Sequence, residues 1–184
     1  MVALLAAFGL TAASITDAQS AFRKLGAIES GTVPRGSHVS FSRAEIDAWL
    51  LDEAHSHVPN GLSALRLELT ANRATAYANV DFLKVQQAAT GGGDPGWLIK
   101  NLFAGERPVV VTARFASANG RSRVDVERVE ISGVPIQGSA LDFVIANYVR
   151  PTFPDVKVNE WFPLHFGVDR FTLGPAGVTV LMGR

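Results

Sequence analysis

The chain of 184 residues contains no cysteine. That excludes disulfide staples, a thiolate nucleophile, cysteine-ligated zinc and lipid attachment through an N-terminal cysteine. Charge is scarce and evenly divided. Lys and Arg number 17, Asp and Glu number 17, and the formal net charge is zero. Charged residues make up 18% of the chain, against roughly 25% in an average globular domain. The basic footprint used to bind nucleic acid is missing, and no nucleic-acid partner is expected. Apolar surface is what the chain has in quantity. It is 47% hydrophobic and carries eleven Phe, too apolar a composition for a chain disordered throughout.

The first fifteen residues, Met1 to Ile15, carry no charge. Val2 to Leu10 is an apolar run, and the small residues Thr11 to Ser14 follow it. This order suits a secretory h-region and its cleavage zone, although the first Lys or Arg is Arg23 and no positive n-region precedes the run. An N-terminal anchor is the alternative. The visible run is shorter than the roughly 20 apolar residues a membrane span needs. Gly26, Gly31, Pro34 and Gly36 break the stretch after it. The expected division is a signal peptide or anchor over 1–21, a linker over 22–37, and one domain over 38–184. Export implies a periplasmic or cell-envelope location, with membrane contact left open.

Within the domain, Ser42 stands three residues before Glu45, the spacing of a capping box. It opens a helix over Arg43–His57, with Ile46, Trp49, Leu50 and Ala54 near helical spacing. Two alternating runs follow, Leu65 to Thr70 and Ala74 to Phe82, joined by a turn at Asn72-Arg73. Period 2 predicts a hairpin with one apolar face. The row Ala74, Ala76, Ala78 on that face is small and leaves room for something to pack. Asp94 and Pro95 predict a short helix over Gly96–Ala104. A second hairpin, from Val109 to Ile131, turns at Asn119-Gly120. Its return strand slips phase near Glu127-Arg128, which predicts a β-bulge. A third helix is expected over Ser139–Val149, and a final strand pair over Val168–Leu173 and Val178–Met182. The predicted class is α+β, a curved antiparallel sheet of hairpins packed around amphipathic helices.

Catalytic signatures are few. Gly91, Gly93 and Gly96 match a dinucleotide fingerprint in spacing only, because the flanking strands read as antiparallel and Asp94 would face the pyrophosphate. His55 and His57 lie two apart and do not share a helix face. His38 and His165 are isolated, and no G-x-S-x-G occurs. Arg121, Arg123, Asp125 and Glu127 read as a solvated strand face held by cross-strand pairs. No enzyme activity, metal or cofactor is expected. An unrecognised hydrolase around His165 or Asp142 is the remaining catalytic reading.

The helices and strands instead carry a large apolar set: Trp49, Leu50, Phe82, Trp97, Leu98, Leu102, Phe103, Phe115, Leu141, Val144, Ile145 and Tyr148. These are core residues, or the walls of a groove between helices and sheet. Each methylene of an acyl chain buried there would contribute about 0.8 kcal/mol. Arg114, Lys100 and Arg150 are candidates for an anionic head group.

Val39-Ser-Phe41, the helix opening Ser42-Arg-Ala-Glu45-Ile46, and Gly133-Val-Pro-Ile136 before a third helix stand in an order that resembles a family. That family is the TULIP-like (tubular lipid-binding) proteins of the bacterial envelope, including YceB-type lipoproteins. The likeness runs from about Val39 to Met182 and is one of element order. It implies a half-barrel wrapped around a helix, with lipid or another amphiphile as ligand and lipid transport as function. The chain departs from the lipoproteins in having no cysteine. An envelope interaction module with a filled core and no ligand is the alternative.

Overall fold

Ser42 and Glu45 start a helix where the sequence places the capping box. The Glu45 amide donates to the Ser42 hydroxyl at 3.2 Å, and the Ser42 amide donates to a Glu45 carboxylate oxygen at 2.7 Å. The reciprocal pair satisfies two backbone donors that a helix start leaves open. A computed structural model describes residues 4–57, 61–85, 105–146 and 158–184. In it this helix is α2, Arg43–His57, preceded by α1, Leu4–Glu29, and by β1, His38–Ser42. Next come β2, Leu62–Thr70, and β3, Arg73–Asp81, then β4, Glu106–Ala118, and β5, Arg121–Ile131. The chain continues through β6, Val134–Pro135, α3, Ser139–Val144, and β7, Trp161–Pro163, to β8, Val168–Gly174, and β9, Gly177–Met182.

The α+β class with antiparallel sheet is correct, but there are two sheets where one was expected. The larger has the order β2-β3-β4-β5-β6, with β7 also on β5; the smaller has the order β1-β9-β8. Neither sheet closes into a barrel among the described residues. The large sheet is a pair of hairpins. Asn119 and Gly120, with φ of 52° and 69°, form the two-residue turn of the second. The predicted bulge is present: Thr112 pairs with Arg128 and Ala113 with Val126, so Glu127 is the extra residue. The first turn falls at Ala71-Asn72, one residue earlier than predicted, because Thr70 pairs with Arg73.

The small sheet carries the helices. Ala21 and Ile28 of α1, Phe41 of β1 and Met182 of β9 form a core flanked by Leu25, Ile46, Trp49 and Val180. The expected linker over 22–37 is therefore corrected: α1 runs unbroken to Glu29, and its inner face is held by this core. Gly177 permits the close approach of β9 to β1, since a Cβ there would lie 1.9 Å from the Phe41 carbonyl oxygen.

The outer edge of β8 is closed by the large sheet. The Ser117 hydroxyl donates to the Phe171 carbonyl at 2.6 Å and accepts from the Phe171 amide at 2.8 Å. The Gly120 amide donates to the Asp169 carbonyl at 2.8 Å, and the Asn72 amide to the Leu173 carbonyl at 3.1 Å. Both hairpin tips thus take the place of a missing neighbouring strand. Ser117→Ala removes two bonds at once. It should lower the unfolding free energy by about 2 kcal/mol, at roughly 1 kcal/mol per bond, as read by urea denaturation; an unchanged midpoint would mean that water replaces the hydroxyl.

Candidate functional site

The large sheet has one charged and one apolar face, as its alternation requires. On the charged face Arg73 forks onto Glu127 at 2.6 and 3.0 Å, and Arg114 reaches Asp125 at 3.7 Å and Glu127 at 3.6 Å. Arg123 pairs with Asp125, and Arg128 with Glu130, each at 2.5 Å. Arg66 pairs with Glu68 and lies 3.9 Å from the Tyr77 ring centroid. The Arg73 hydrogen bonds hold Glu127 below the ordinary carboxylate value, and Arg66 does the same for Glu68. This is the solvated face predicted for Arg123, Asp125 and Glu127. Arg114 belongs to it, so it does not rim an apolar groove on the other side.

The apolar face is built in rows by strand register. Leu69, Ala74, Ala113 and Val126 form one row, and Leu67, Ala76, Val111 and Val129 the next. Ala78, Val109 and Ile131 form a third. Directly paired side chains share a face. Ala74, Ala76 and Ala78 therefore lie as a file of methyl groups along β3: Ala76 between Leu67 and Val111, Ala74 between Leu69 and Ala113, and Ala78 beside Val109. Read from side-chain size and strand register, this file of small residues is a furrow along β3, four residue steps or ~13 Å long. All three alanines are half-buried. At the turn end, β8 crosses the sheet, and Phe171 packs edge-on to Phe115 with ring centroids 6.3 Å apart. At the other end Phe82, Val85 and Ile131 form a second core with Leu62, Val80, Val109, Ile136 and Val144.

Of the residues predicted for a groove, this face collects Phe82, Phe115 and Val144. Phe82 is 4% exposed and starts a helical turn at 82–85, so the predicted strand stops at Asp81. Leu141 lines a pocket of about 170 Å³ between α3 and the β5 bulge, with Val126, Val129 and Ile136. Ile145 is half-buried just beyond α3. The described α-helical part of the third helix ends at Val144 and contains no buried residue. Trp49 is a correction: it packs against the small-sheet core instead. Leu50, on the same helix, is half-buried. Trp97, Leu98, Leu102, Phe103 and Tyr148 lie outside the described residues, as do the helix over 96–104 and the head-group candidates Lys100 and Arg150. The residues absent from the prediction are Leu67, Val111, Val126 and Val129. Their period-2 phase marked them as inward, but the bulge decides which of the β5 residues share the row.

A second hollow of about 470 Å³ lies beside β1 and the β8–β9 turn, lined by Lys24, Ser40, Glu45, Thr172 and Thr179 among others. Its size is within the ~300–1,000 Å³ usual for small-molecule sites, whereas the 170 Å³ pocket is below it. The side chains of Lys24, Ser40, Glu45 and Thr179 in it are already engaged. Ser40 and Thr179 share a hydrogen bond at 3.2 Å, and Lys24 donates to the Ser40 carbonyl at 2.7 Å. Among the described residues no three His, Asp or Glu side chains gather in a metal-holding group.

Among the described residues Glu45 is the carboxyl displaced furthest, and its surroundings explain it. It is 5% exposed. Burial pushes its pKa up, but the Lys24 ammonium at 2.6 Å, the Ser20 hydroxyl and the Ser42 amide outweigh burial and hold it at about 2. Such a group stays ionised near neutrality and serves as the lock between α1 and α2. Because its folded value lies below the ordinary 4.5, it stabilises the fold fully above pH 4.5. That contribution is lost as pH falls through about 2. The displacement corresponds to about 3 kcal/mol. Glu45→Gln should lose about that much stability at pH 7 and flatten the acid limb of a denaturation series between pH 4.5 and 2. An acid limb equal to that of the wild type would assign the transition to other carboxylates.

Compared with known proteins, the chain matches no family model, no curated protein and no solved structure.

Proposed function

We propose that the protein is an exported cell-envelope protein that binds a lipid or similar amphiphile on the apolar face of its large sheet, for carriage between membranes. The observation that carries this reading is the file of half-buried alanines Ala74, Ala76 and Ala78 along β3, with the larger Leu67 and Val111 on either side of Ala76. An acyl chain laid there would bury methylenes at about 0.8 kcal/mol each. The rest of the reading is a TULIP-like half-barrel, in which the large sheet forms the trough and α3 one wall. The role is binding rather than catalysis, with the head group left at the rim.

Native mass spectrometry of the purified full chain, followed by organic extraction, tests this. A stoichiometric lipid is expected. Ala76→Phe fills the furrow without adding charge and should reduce lipid uptake at least about 10-fold, the effect of losing two or more buried methylenes. Thr70→Lys, on the exposed face of β2, should leave uptake unchanged. Equal uptake by both variants, or an apo chain that takes up no added lipid, would favour the filled interaction module.

A further inference from the structure

We infer that α1 is retained in the mature protein and that its uncharged N-terminal part inserts into a lipid bilayer, tethering the domain to the membrane. One continuous helix, Leu4–Glu29, joins two chemically different segments. Its C-terminal part belongs to the domain. Ala21 is 0% exposed and Ile28 5% exposed, in one core with Phe41 and Met182. Ser20 and Lys24 bond Glu45, and Lys24 also reaches the Ser40 carbonyl at 2.7 Å. Its N-terminal part has a different composition. Asp17 is the first charged side chain, and nine of the twelve residues 4–15 are Ala, Leu, Ile or Phe. At 1.5 Å per residue these twelve span ~18 Å, more than half of a hydrocarbon core ~30 Å thick. No helix among the described residues is long and apolar enough to cross a membrane.

Retention follows from the continuity of the helix. Proteases cut exposed, flexible chain. The small residues Thr11 to Ser14 and the boundary at residue 21 both lie inside the helix. A cut after residue 21 would also remove Ser20 from Glu45 and Ala21 from the core. A bilayer suits the uncharged segment because burying its apolar side chains there is favourable and it carries no charge to desolvate. The inference does not depend on the furrow.

The full-length chain and the double variant Phe8→Lys, Leu10→Lys would be mixed with vesicles of phosphatidylethanolamine and phosphatidylglycerol and sedimented in high salt, which screens surface charge. The wild-type chain should sediment with the vesicles. The double variant should partition about 100-fold less or weaker, since each lysine is strongly disfavoured in hydrocarbon. Both should melt at the same temperature, and the mass of the chain recovered from cell membranes should include residues 4–15. A mature chain that starts after residue 15 would overturn the inference, as would equal sedimentation of the two chains or a wild-type chain that stays in solution. Ala76→Phe should sediment like the wild type, which separates this result from the fate of the furrow.

Discussion

The free edge of β8 is the constraint on which the rest of the architecture depends. A strand paired on one side only presents amides and carbonyls that need partners. Here Ser117 serves both backbone groups of Phe171, while Gly120 and Asn72 serve the carbonyls on either side. The tips of both large-sheet hairpins are thereby fixed to the small sheet. Two sheets that share no strand are joined because a side-chain hydroxyl and two turn amides complete the pairing.

This joint divides the hydrophobic core. Ala21, Leu25 and Ile28 of α1 and Ile46 and Trp49 of α2 pack on the small sheet, around Phe41 and Met182. Phe82, Val85 and Ile131 form a separate core at the far end of the large sheet. Between β8 and that second core runs the file of alanines. Their methyl groups fill less space than Leu67, Leu69, Val109 and Val111 beside them, so the side chains of this face are shortest along β3. A deeper core with bulky residues at 74, 76 and 78 would have closed the same surface.

The lock between α1 and α2 has a different character. Glu45 ties its own helix start, through Ser42, to the neighbouring helix, through Lys24. One carboxylate thus meets a cap requirement and a tertiary one together. Its buried position makes the ion pair strong and makes the loss of either partner costly. The surface pairs on the charged face of the large sheet are solvated and contribute far less.

Several features were legible in the sequence because they obey rules that act over a few residues. The capping box and the limits of α2, the Asn119-Gly120 turn and the bulge at Glu127 depend on neighbours within one turn or one strand pair, and the structure has each of them. The small inward row of β3 was equally plain from alternation. The split into two sheets was not, because β9 pairs with β1, whose residues lie some 140 positions earlier, and no local signal encodes that partner. Nor did Gly26 end α1, since burial of Ala21 and Ile28 outweighs the roughly 1 kcal/mol helix penalty of a glycine. Trp49 has the spacing of a core residue in either sheet's company, and only packing assigned it to the small one. By itself the sequence determined which residues face inward and where local elements begin. The tertiary structure decided which inward faces meet, because that choice depends on contacts between segments far apart in the chain.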